Sequence, residues 1–221
     1  MEQRSHSVAE TVRRGHPRHR DEWGIEFSRI VAFSDGVFAI AITLLALSIE
    51  VPEQLPANTT VAEMLEQQSG DLLAYAISFA VVGKLWLAHH RFFSTVERFD
   101  SVLMGLNILY LAWIAVIPVT SEVLGDYGEN SSGVIVYAIS IIGVSLTFQA
   151  QIAYAFRSGL IRPELREIER RLGQPANLLI TAVFVLSIPV ALVSTIAATL
   201  MWLIVFLAGR RLVDRLAALR A

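Results

Sequence analysis

The 221 residues include no cysteine, which excludes a disulfide framework, a thiolate metal centre and thiol redox chemistry. Charge is scarce as well: Asp, Glu, Lys and Arg make up 17% of the chain against 54% hydrophobic residues, and mean hydropathy is +0.55. Soluble domains carry about 25% charged residues, so this composition points to a protein embedded in a bilayer. Catalytic motifs are missing too. No serine sits in a glycine-rich elbow, there is no H-E-x-x-H, and no acids pair at catalytic spacing, so no enzymatic activity and no cofactor are expected. The first 26 residues hold no apolar core of the kind a secretory signal requires. Their arginines at 4, 13, 14, 18 and 20 are set against Glu2, Glu10, Asp21 and Glu22, and they are expected to form a mobile cytosolic tail.

What is present is apolar sequence in long runs, at 28–49, 71–93, 101–120, 133–156, 176–192 and 194–209. Most approach the roughly 20 residues needed to cross hydrocarbon. This predicts an all-α integral membrane protein with six transmembrane helices: a tail over 1–26, a membrane domain over 27–212 and a second cytosolic tail over 213–221. The last division rests on a split near Pro189 and Ser194, read as a tight hairpin of two short helices; five spans is the competing count.

Cytoplasmic loops collect Lys and Arg, which orients the chain in its cell membrane. With the N-terminus inside, segments 50–71 and 121–132 carry Glu50, Glu53, Glu63, Glu66, Asp71, Glu122, Asp126 and Glu129 and no Lys or Arg. The inner segments hold Arg91 and Arg98, then Arg157, Arg162, Arg166, Arg170 and Arg171, then Arg210, Arg211, Arg215 and Arg220. Five spans would place that last group outside, which favours six with both termini cytoplasmic. Because the basic residues follow topology and form no patch interleaved with aromatics, nucleic acid is not an expected partner. Lys84 lies deep within a span, where it either snorkels or neutralises an acid between helices. In 162–173, Leu165, Ile168 and Leu172 share a helical face, which suits a helix lying on the membrane surface or a plain connector.

The stretch FSDGVFAIAITLLALSIEVP (33–52) places Asp35 within an apolar helix. An acid at the centre of a membrane helix costs about 2.5–3.5 kcal/mol even on insertion scales, so it persists only where something satisfies it. At 100° per residue, Gly36, Ile40, Thr43, Leu44 and Leu47 fall in one stripe about 100° wide, with Asp35 roughly 140° from Ile40. Glu50 and Glu53 crown the far end, where several copies would draw cations to a mouth or simply lie solvated.

Arg29, Phe33, Ser34, Asp35 and Ala39 spell R-x-x-x-F-S-D-x-x-x-A, and Trp86, His89 and His90 fall in W-L-A-H-H-R-F-F. Together with the six-helix plan, these motifs resemble the transmembrane protein 175 family of potassium channels, bacterial single-repeat type. The resemblance implies a homotetramer conducting K⁺ passively through a central pore lined by the first helix. It assigns the constriction to Ile40, further apolar layers to Leu44 and Leu47, and a part in selectivity to Thr43. No metal is implied beyond transient K⁺. Ser34, Asp35, Trp86, His89 and His90 lie at similar depths and are expected to share hydrogen bonds away from that stripe, as architecture and gating or as a proton relay. Arg29 is six residues from Asp35, so a bond between them would have to cross helices or subunits.

Gly125–Asp126–Tyr127–Gly128 superficially matches a carbonyl filter, but no Thr-Val-Gly precedes it and its neighbours are acidic loop residues, so it is read as a turn. Two rival readings remain: a proton-permeable channel, or a proton-coupled secondary transporter titrating Asp35, His89 and His90. Against the transporter, there is no convincing internal repeat.

Overall fold

In the computed structural model, backbone is described for residues 17–49 and 60–203, and side chains for 27–49, 60–167 and 177–203. The described residues are helical apart from short connections. In order they form α1 (Pro17–Leu47), α2 (Val61–Gln67), α3 (Ser69–Thr95), α4 (Ser101–Tyr127), α5 (Ser131–Arg157) and α6 (Pro163–Ala191), then α7 (195–203) after a turn at 192–194. Two units are distinguished, which among the described residues comprise 17–36 on the one hand and 37–49 with 60–203 on the other.

Four helices among the described residues are long and apolar enough to cross a membrane: Phe27–Leu47, Ser69–Thr95, Ser101–Tyr127 and Ser131–Arg157. They correspond to the first four apolar runs of the sequence, and make the chain a multi-pass membrane protein. The next apolar helix, Asn177–Ala191, is shorter.

Three differences from the sequence reading have physical causes. Residues 17–26, expected as part of a mobile tail, are helical: Pro17 suits a first helical turn and Arg18, Arg20 and Glu22 are good helix formers. Residues 1–16 and 213–221 lie outside the described set. The stretch 162–173 runs without interruption into the next apolar segment as the single helix Pro163–Ala191. The outer segment contains α2, whose start is a capping box: Thr60 Oγ1 accepts from Glu63 N at 3.2 Å and Glu63 Oε2 accepts from Thr60 N at 2.8 Å. Those bonds hold the Glu63 carboxyl below its usual range.

Near the expected split the chain turns at 192–194, and Pro189 stays inside α6. The turn is closed by Trp202, which stacks on Phe184 at 5.1 Å and donates its indole N–H to Ser187 Oγ at 3.0 Å.

Lipid tails are as apolar as leucine, so membrane helices associate through close packing and hydrogen bonds rather than through release of water. Both devices recur through residues 37–203. Ser78 Oγ on α3 donates to Ser121 Oγ on α4 at 2.7 Å and lies 3.1 Å from Tyr137 Oη on α5. Thr120 and Ser140 join α4 to α5 at 3.0 Å. Ser145 and Thr181 join α5 to α6 at 2.6 Å. Glycines let helices approach closely. A Cβ on Gly70 would lie 2.9 Å from the Gly125 carbonyl oxygen, and one on Gly143 would lie 2.6 Å from the Trp113 ring.

At the opposite end from Gly70 and Gly125, the α3–α4 and α5–α6 connections are laced together. Glu97 N donates to Leu160 O at 2.8 Å and Arg162 N to Thr95 O at 2.9 Å, around an antiparallel bridge between Val96 and Ile161. Asp100 serves both sides. Its Oδ1 caps α4 by accepting from Leu103 N at 2.8 Å, while its Oδ2 accepts from Tyr154 Oη at 2.7 Å. The arginine-bearing connections at 96–100 and 158–162 therefore lie on one end of the bundle.

The Gly143–Trp113 contact generates a prediction. Overpacking a close interface costs about 1–3 kcal/mol, so Gly143→Ala should lower the thermal unfolding midpoint of the purified protein. Combined with Trp113→Leu its effect should shrink, and strictly additive losses would show that the two residues do not press on one another.

Candidate pore-lining face and the polar core behind it

From residue 37 onward α1 has two unlike faces. Phe38, Ala41 and Leu45, spaced i, i+3 and i+7, are buried, with Phe38 at 1% and Leu45 at 0% exposure. On the other side Ile40 is 60% exposed, Leu44 43% and Leu47 76%, and Thr43 is exposed between them. The helical period alone separates the two sets. Ile40, Thr43, Leu44 and Leu47, the sequence-predicted stripe, thus share one uncovered face.

Thr43 has a specific local geometry. Its hydroxyl donates to the Ile40 carbonyl at 2.8 Å, so the hydrogen is committed to the backbone and the oxygen lone pairs remain as acceptors. Exposed oxygen acceptors in an otherwise apolar stripe are what a hard cation can use.

The buried face of α1 rests on an aromatic cage centred on His89. Phe38 lies 5.5 Å from the His89 ring and 6.0 Å from Tyr110. His89 stacks on Tyr110 at 5.3 Å with the planes 6° apart, with Phe93 at 4.3 Å and Phe148 at 6.4 Å. Its Nε2 lies 2.9 Å from Asn107 Oδ1. An amide oxygen only accepts, so Nε2 carries the hydrogen and donates. Asn107 was not singled out by motif, and neither were Tyr110 or Phe148. The available signal was a lone amide in the apolar run SVLMGLNILYLAW, since polar residues at membrane depth are there for a reason.

The two histidines expected to act as one group diverge. Consecutive residues on a helix point about 100° apart, so His89 is buried against Asn107 while His90 is exposed and lies 5.6 Å from the Trp86 ring. In residues 1–36, Arg29 and Phe33 are exposed, Asp35 is half-buried and Ser34 is buried. The Ser34 hydroxyl donates to the Ile30 carbonyl at 2.9 Å. Ala39 is exposed and Lys84, on α3, is half-buried. Glu50 and Glu53 lie outside the described residues. Among the described residues no three His, Cys, Asp or Glu side chains gather as a metal site. Gly125–Asp126–Tyr127 belong to the last turn of α4, with Gly128 as its C-cap.

Comparison with known proteins adds an independent line. The family model described as "Endosomal/lysosomal potassium channel TMEM175" matches residues 29–118, which contain α3, much of α1 and most of α4. A potassium channel of Streptomyces collinus is 41% identical over 138 residues, covering 61% of this chain and 66% of that protein. The endosomal/lysosomal proton channel TMEM175 of Gallus gallus is 37% identical over 110 residues, covering 47% of this chain and 22% of that one. Among solved structures, a lysosomal potassium-selective channel TMEM175 homolog from Chamaesiphon minutus superposes with a TM-score of 0.71 at 27% identity, covering 86% of this chain and 97% of that chain. The chain spans 60% to 66% of the length of the bacterial potassium channels it matches.

The His89–Asn107 bond predicts a contrast between neighbours. Asn107→Leu leaves the buried His89 N–H without its acceptor, which costs about 1–3 kcal/mol, and the unfolding midpoint should fall accordingly. His90→Ala, on the exposed side, should leave it nearly unchanged. Equal losses for the two variants would remove His89 from its central place.

Proposed function

Because the chain belongs to the TMEM175 family, we propose that it is a subunit of a potassium-permeable channel in the cell membrane, conducting K⁺ passively along a central axis lined by α1. Four copies of a six-helix chain surround that axis, with both termini cytoplasmic. Ile40 forms the narrow ring, Leu44 and Leu47 form further apolar layers, and Thr43 contributes to selectivity. The closed ring excludes ions by dewetting; opening widens or rewets it. No resident metal or cofactor is required, only permeant K⁺. Arg29 bonds across helices or subunits, and Glu50 and Glu53 attract cations at the outer mouth.

The observation that carries this reading is the uncovered stripe of Ile40, Thr43, Leu44 and Leu47 opposite the buried Phe38, Ala41 and Leu45. The Thr43 hydroxyl, bonded to the Ile40 carbonyl, leaves oxygen acceptors on that face. The neighbouring exposed residues Gly36 and Ala39 are small enough to let copies of the helix approach one another. Proton permeation through the same path is the second reading, favoured by the name of the Gallus gallus relative.

Purified protein in liposomes with a K⁺ gradient tests both. With a proton ionophore present, K⁺ flux should run down its gradient without saturating, whereas flux that saturates and requires a proton gradient would establish a carrier instead. Ile40→Asn should raise conductance and weaken discrimination between K⁺ and Na⁺; unchanged currents would remove Ile40 as the constriction. Thr43→Ala should preserve the pore and alter its selectivity. A pH-sensitive dye in K⁺-free liposomes reads the proton path directly.

A further inference from the structure

Away from the exposed stripe of α1, the α4–α5 interface contains polar groups that the pore reading does not use. Tyr110 Oη, Gln151 Nε2 and Gln151 Oε1 are fully buried and have no hydrogen-bond partner among the described residues. Gln151 and Tyr110 are each 0% exposed. A buried polar atom left unbonded costs about 1–3 kcal/mol, and three in one bundle would be a heavy burden where the surrounding lipid supplies no hydrogen bonds.

The helix register places the two side chains at neighbouring levels. Thr120 pairs with Ser140 and Tyr110 packs on Phe148 with ring centroids 5.4 Å apart, which fixes α4 and α5 antiparallel. In that register Gln151 lies level with Asn107, one turn from Tyr110, and on the same side of α5 as Ser140 and Tyr154, both of which bond towards α4. Helical side chains lean towards the N-terminus of their own helix. On antiparallel helices the phenol of Tyr110 and the amide of Gln151 therefore lean towards each other's level. Beside them sits Asn107, bonded to His89.

We propose that this part of the α4–α5 interface is an internal hydration site, in which water is held between the Gln151 amide and the Tyr110 hydroxyl. The chemistry fits water better than a cation or an organic ligand. The Gln151 amide offers donors and an acceptor, the phenol offers one of each, and there is no formal charge on either. A buried water needs two to four polar partners, and these two side chains supply them. The site is separate from the conduction path, because Tyr110 and Gln151 lie on α4 and α5 and are fully enclosed within the chain.

The test uses the wild-type protein in its membrane-mimetic state. Brief X-ray radiolysis generates hydroxyl radicals from water next to each side chain, so an enclosed residue is oxidised only where water is bound beside it. Tyr110 and Tyr137 form a matched pair. Both are 0% exposed, but the Tyr137 hydroxyl has Ser78 as a partner. Tyr110 should be oxidised several-fold faster than Tyr137, and Gln151→Met should bring its rate down towards that of Tyr137. Equal, slow oxidation of the two tyrosines in wild type would overturn the proposal, whatever happens to the variant's folding. So would a fast Tyr110 rate that Gln151→Met leaves untouched, since the amide would then hold no water.

Discussion

Hydrocarbon offers nothing to a hydrogen-bonding group, and most of this molecule follows from that. Helices satisfy their own backbones, but side-chain hydroxyls and amides must find partners within the bundle. Ser78, Thr120 and Ser145 each do so across a helix boundary. These bonds sit level by level along α3 to α6, and fix register where leucine against lipid would not. Trp202 on Ser187 performs the same service for the last hairpin.

From residue 37 onward α1 has one covered side and one bare side. Its inward residues, from Phe38 to Leu45, are as buried as any in the protein, and Phe38 reaches the ring of His89. Its outward residues include an isoleucine and a threonine that no described residue covers. A single chain thus covers one side of α1 and leaves the other bare.

Much of this was legible in the sequence. Hydropathy located the four long spans, since a run of about 20 apolar residues is matched to the thickness of a bilayer and to little else. The signature around Phe33–Asp35 pointed to the family, and the period of 3.6 put Ile40, Thr43, Leu44 and Leu47 on one face. The rest was hidden for identifiable reasons. Residues 17–26 look like a charged tail because polarity suggests disorder, though their helix propensity is good. Adjacent histidines look like a pair because sequence shows depth but not direction. Asn107 and Gln151 carry no motif, and their importance emerges only when the partner helix is in place. The capping box at Thr60–Glu63 is spelled T-V-A-E in the sequence, inside a segment where acidic charge is the stronger signal.

The bundle is fastened at both extremities. Near one end, Glu97 and Arg162 stitch the two connections into a short ladder; at the other, Gly70 and Gly125 bring the two backbones almost into touch. Ties at top and bottom brace these helices against sliding along one another.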